Sequence, residues 1–101
     1  MKLAIQQENL KKALAQVSRA VPGKPVMPIL SNVLLTTDQG RLRLSATDLN
    51  LAITVWSGAQ IEQDGSVLVP AGLFADLVAG LPNDRVTLEV NRENQVVTVA
   101  C

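Results

Sequence analysis

At 101 residues the chain holds one domain at most, large enough to bury a real core. Hydrophobic residues make up 48% of it and aromatic residues only 2%, so Leu, Val, Ile and Ala must form the core and no aromatic platform can stack bases. The formal net charge is zero but unevenly spread: residues 1–25 carry five basic side chains against one acidic, residues 26–101 four against eight, a split that hints at an anionic partner for the N-terminal third.

The pattern of elements runs twice. A short apolar strand, Leu3 to Ile5, leads into an amphipathic helix from Glu8 to Ala20. Leu10, Leu14, Val17 and Val21 recur at four, three and four residues and so share one stripe. Ala13 and Ala20 flank that stripe, Lys12, Gln16 and Arg19 fall roughly opposite, and Lys11 sits to one side. Pro22-Gly23 ends the helix, because proline cannot continue the ladder and glycine accepts a left-handed turn. Pro22, Pro25 and Pro28 then stiffen an extended segment that holds Lys24. Three strands follow, Asn32 to Thr37, Arg41 to Thr47 and Leu49 to Trp56, joined by tight connections at Asp38-Gln39-Gly40 and Asp48-Leu49-Asn50.

Gly58 to Gly65 reads as an irregular connector. The order then restarts with a strand from Ser66 to Val69 and a helix from Ala71 to Leu81, with Leu73, Phe74, Leu77, Val78 and Leu81 as its apolar arc. Strands from Arg85 to Val90 and from Gln95 to Ala100 flank a turn at Asn91 to Asn94. One more strand, beyond Cys101, is expected to complete the second unit. The fold class is therefore α+β: two strand–helix–three-strand units with helices on one side of antiparallel sheets, and the last strand missing.

Catalysis is not expected. The chain has no His, and its serines lack a Gly-x-Ser-x-Gly context, so no nucleophile has a base within reach. Asp48 reads as a turn residue, since no second acid or base lies at a useful spacing. One cysteine and no histidine leave neither a disulfide framework nor a Cys/His zinc centre, and neither a cofactor nor a metal is expected. No apolar run approaches the roughly 20 residues of a membrane helix, and the N-terminus lacks a signal-peptide pattern. The expected location is the cytoplasm, with no membrane partner.

Pro22-Gly23-Lys24-Pro25-Val26-Met27-Pro28-Ile29-Leu30-Ser31-Asn32-Val33-Leu34-Leu35 resembles the bacterial sliding clamp, the β subunit of the replicative DNA polymerase. So do Ala46-Thr47-Asp48-Leu49-Asn50-Leu51 and Val69-Pro70-Ala71 followed by Gly80-Leu81-Pro82, in the order and spacing of the clamp's first domain. The resemblance implies a chain of three similar domains, of which residues 1–101 are the first, incomplete at its C-terminal end, with the second and third absent. It implies a head-to-tail homodimeric ring around double-stranded DNA, with helices lining the hole and sheets outside. Such a ring is a processivity factor that tethers the polymerase and is no enzyme. Clamp loader and polymerase would bind through the domains absent here.

A sliding contact neutralises phosphates without reading bases, which calls for Lys and Arg on helices. The expected DNA-binding residues are Lys24, which matches a loop position where clamps carry Arg or Lys, then the face of the first helix: Lys12, Arg19, Gln16 and Lys11. The chain departs from the clamp pattern at Gly72, Leu73 and Ala79, where clamps often carry basic residues, so the second helix is expected to supply shape more than charge. Taken without the resemblance, the residues also fit a protein-interaction or dimerisation module with no nucleic-acid role, built on an exposed strand edge or the Trp56 face.

Overall fold

The computed structural model describes residues 1–20, 32–47, 51–91, 93 and 96–101. The elements are β1 (Lys2–Gln6), α1 (Gln7–Val17) with a one-turn 3₁₀ extension (Ser18–Ala20), β2 (Asn32–Asp38), β3 (Arg41–Thr47), β4 (Ala52–Gly58), β5 (Gln60–Gln63), β6 (Ser66–Pro70), α2 (Ala71–Ala79), β7 (Arg85–Val90) and β8 (Val97–Ala100). They form two antiparallel four-stranded sheets. The first has the order β5-β1-β7-β8 and the second β4-β3-β2-β6.

The doubling expected from the sequence is present, and the two units interlock. The first unit contributes β2, β3 and β4 to the second sheet, but its opening strand β1 joins the first sheet beside β7. The second unit does the converse: β7 and β8 lie in the first sheet, and β6 pairs with β2 in the second. Each unit hands its first strand to the other unit's sheet. Neither set of backbone hydrogen bonds closes without both units, so the fold depends on contacts distant in sequence.

Alternation along the strands places one continuous core. Leu3 and Ile5 of β1 and Val86, Leu88 and Val90 of β7 point inward from the first sheet. Val33 and Leu35 of β2, Leu42, Leu44 and Ala46 of β3, and Val67 and Val69 of β6 do so from the second. The helices cover this side: α1 packs on β3, β4 and α2, and α2 packs on α1 and β6. The β2–β3 hairpin turns on Gln39 and Gly40, with φ of 51° and 80°, between the paired residues Asp38 and Arg41. Two positive φ values in a two-residue loop make a type I′ turn, whose twist suits the flanking strands.

Several expectations need correction. Residues 60–63, read as part of an irregular connector, form β5, which pairs antiparallel with β1. Its only apolar residue, Ile61, gives too weak an alternation to announce a strand, and the free edge of β1 decides the matter. β4 begins at Ala52, three residues later than expected, and Thr47 Oγ1 donates to Leu51 O at 3.1 Å ahead of it. The first helix tightens to 3₁₀ geometry over its last three residues. On α2 only part of the expected apolar arc is buried. Ala71, Phe74 and Val78 face the core, whereas Leu73 is 72% exposed and Leu77 is also exposed. α2 packs mainly on α1 and β6, so its covered stripe is narrower than its apolar arc. The expected turn at Asp48-Leu49-Asn50 and the proline-rich segment, with Val21, lie outside the described residues.

Candidate nucleic-acid interface

α1 owes its placement to its buried stripe. Gln7, Leu10, Ala13, Leu14 and Val17 are buried, and Ala20 is buried in the 3₁₀ turn that follows. Their spacing of three or four residues keeps them on one side of the helix. Lys12, Gln16 and Arg19 are all exposed, and Lys11, about 100° away from Lys12, is exposed beside them. From Lys12 to Arg19 the stripe spans seven residues, roughly 10 Å of helix axis. One strand of duplex DNA presents about three phosphates over that length.

The electrostatics of this face are simple. The ion pairs among the described residues are Lys2–Glu62 at 3.5 Å and Arg43–Asp38 at 3.7 Å, and neither involves α1. Lys11, Lys12 and Arg19 therefore stand without a carboxylate within bridging distance among the described residues. Glu8 is the helix's one acid and lies in its first turn, where it complements the N-terminal end of the macrodipole. Exposed cations on long stems beside an amide can meet phosphate oxygens in many arrangements. They do not fix a base edge.

Lys24 lies outside the described residues. The other four expected residues come together on one helix and its 3₁₀ extension. The exposed side of α2 offers Leu73, Asp76 and Leu77 and no base, so the two helices differ in charge as the sequence suggested. Among the described residues no cluster of His, Cys, Asp and Glu could hold a metal, and no helix is long and apolar enough to cross a membrane.

Sequence reasoning missed Gln7, the one buried polar side chain among the described residues. Its Nε2 donates to Val78 O at 2.8 Å, and its backbone N–H donates to Asp84 O at 2.9 Å. Gln7 thus satisfies a carbonyl in the last turn of α2 and ties that turn to the first residue of α1. A glutamine in a run of polar residues carries no sequence signal of burial. Gln7→Ala is expected to destabilise the fold by about 1–2 kcal/mol, since Val78 O keeps only its bond from Leu81 N at 3.1 Å. A urea titration checks this, and an unchanged midpoint would show that the bond is dispensable.

The family model for the DNA polymerase III beta subunit, N-terminal domain, matches residues 1–100. A protein from Synechococcus elongatus named Beta sliding clamp is 50% identical over 94 residues, covering 90% of this chain and 25% of that protein. The Beta sliding clamp of Escherichia coli K12 is 35% identical over 99 residues, covering 96% of this chain and 27% of the relative. The crystal structure of the DNA polymerase sliding clamp from Caulobacter crescentus superimposes with a TM-score of 0.92 at 36% identity, covering 99% of this chain and 27% of that one. This chain thus spans about a quarter of the length of the curated relatives it matches. The interlocked pair of sheets is the sliding clamp fold, and the chain belongs to the DNA polymerase III beta subunit family, through the N-terminal domain of that family.

Proposed function

We propose that this chain is the first domain of a ring that encircles duplex DNA without sequence preference and tethers a replicative polymerase. The role is that of a processivity factor in bacterial DNA replication, not of an enzyme. One observation carries the reading: a helix anchored by a mainly apolar buried stripe turns Lys11, Lys12, Gln16 and Arg19 outward, with no carboxylate in bridging distance of its cations among the described residues, in a chain whose relatives bear the name Beta sliding clamp. Lys24, which follows the same helix in sequence, is proposed as a further cation for the phosphates.

In the whole protein three such domains would follow one another, and two chains would join head to tail. The strand completing the second unit would come after residue 101. Helices would face the DNA and the sheets the outside. Clamp loader and polymerase would dock on the second and third domains. The contact with DNA needs neither a cofactor nor a metal, because charge alone holds the duplex, and the setting is the cytoplasm with no membrane partner. Contacts to phosphate release counterions, so binding should weaken steeply with salt. In the full-length ring, Lys24→Ala is expected to flatten the log–log slope of duplex affinity against salt by up to ~0.9, the value for one neutralised phosphate. An unchanged slope would remove Lys24 from the DNA surface. Salt-insensitive self-association without DNA binding would favour the interaction module instead.

A further inference from the structure

The two sheets hold equivalent places in the doubled fold, yet their outer faces differ in chemistry. β2 corresponds to β7 and β6 to β1. At one shared register position the second sheet pairs Leu34 with Leu68, where the first sheet pairs Thr87 with Ala4. Leu34 is 38% exposed and Leu68 45%. Elsewhere the outer face of the first sheet is polar: Lys2 pairs with Glu62, and Arg85 Nη2 donates to Gln60 Oε1 at 2.7 Å. The first sheet shows how this architecture faces water, and the second sheet departs from it.

Leu34 and Leu68, with Ser45, Ala52 and Thr54, line an open cleft of about 380 Å³ on the second sheet. That is the small end of the range for ligand clefts and suits a few side chains better than a whole cofactor. Further along β3 and β4 stands Trp56, 46% exposed and the only tryptophan in the chain. Its Nε1 donates to Asp38 Oδ2 at 3.0 Å, and the Arg41 guanidinium lies 5.7 Å from its ring centroid. Arg43, directly across from Trp56, reaches the same Asp38 oxygen at 3.7 Å. Among the described residues that the second sheet turns outward, Asp38 is the one carboxylate, and it is already shared. Arg41 has no carboxylate partner there.

We propose that this face docks an extended acidic–apolar segment of a partner protein, with leucine-like side chains in the Leu34–Leu68 cleft and carboxylates on Arg43 and Arg41. Thr47 and Ser45 at the cleft, then Arg43 and Arg41, lie at alternate positions of β3, about 7 Å apart. An extended peptide presents same-face side chains at that spacing. The fitting pattern is therefore apolar, any, apolar, any, acidic, any, acidic. Arginine receives carboxylates in a bidentate fork, and a Trp held in place beside Arg is the composition of an interface hot spot. The surface lies on the other side of its sheet from α1, so the proposal does not rest on the DNA reading.

Trp56 reports on the site directly, because the chain has no other Trp and no Tyr. The probe is a synthetic peptide with leucines at two alternate positions followed by aspartates at the next two. Its control replaces the aspartates with lysines. The expected result is a saturable shift of Trp56 emission with the aspartate peptide, weakened by added salt and absent with the lysine peptide. Grafting the first sheet's residues, Leu34→Thr with Leu68→Ala, should weaken binding at least about tenfold. Arg41→Glu, at an exposed position that leaves the cleft intact, should reverse the preference between the two peptides. No saturable shift, an equal response to both peptides, or unchanged affinity in these variants would overturn the proposal. So would an emission shift that grows with chain concentration alone and vanishes in the grafted variant, which would give the face to a second copy of this chain.

Discussion

Leu14→Ala is expected to lower stability by about 2–5 kcal/mol, the range for truncating a fully buried leucine. Leu14 is 1% exposed and sits between Leu10 and Val17 on the stripe that faces the core. α1 is the element that meets β3, β4 and α2 together, so a cavity beneath it cannot be filled by moving one neighbour. For a domain of about 100 residues, whose whole stability is about 5–15 kcal/mol, that loss is a large share. The melting temperature should fall by about 10 °C or more. Thermal and urea unfolding check the result, with Lys12→Ala as the exposed control expected to stay within about 0.5 kcal/mol. A loss below about 1 kcal/mol at Leu14 would mean that α1 is not wedged between sheet and helix as described.

Combining Lys11→Ala, Lys12→Ala and Arg19→Ala should flatten the salt dependence of duplex binding by the full-length ring by about 2–3 in log–log slope. Each cation that neutralises a phosphate contributes up to ~0.9 to that slope. Stability should barely change, because all three side chains are exposed and none takes part in an ion pair among the described residues. The loss should be uniform across duplex sequences, since phosphate contacts carry no base information. A slope equal to the parent's would take α1 off the DNA surface and undercut the proposed function. A loss confined to some sequences would point to base readout, for which this face has little capacity.

The legible parts of this chain are those governed by neighbours in sequence. The stripe of α1 is spaced for one helix face, and the tertiary structure buries the side predicted. β2 and β3 form within a residue of the bounds read from the sequence, and Gln39-Gly40 makes the tight connection expected there. The positive charge of α1, and the absence of basic residues from α2, can be counted in the sequence. β5 was not legible, because a strand with one apolar residue takes its identity from the edge it joins. Nor was the exposure of Leu73 and Leu77, since an apolar arc says what a helix can bury, not how much surface will come to cover it.

The candidate site divides in the same way. Lys11, Lys12, Gln16 and Arg19 could be placed on a polar face from spacing alone. Gln7 could not be assigned to the core, because its partner Val78 lies 71 residues away. The clasp of Trp56 by Asp38, Arg41 and Arg43 was equally hidden, as it assembles across three strands. By itself the sequence determined local conformation, the inward and outward faces of its regular elements, and the positions of its charges. Only the tertiary structure decided that each unit lends its first strand to the other's sheet and that one outer face is polar while its counterpart is greasy. The physical reason is that periodicity is a property of a few consecutive residues, whereas strand partnership and burial depend on which distant segment offers a free edge or a covering surface.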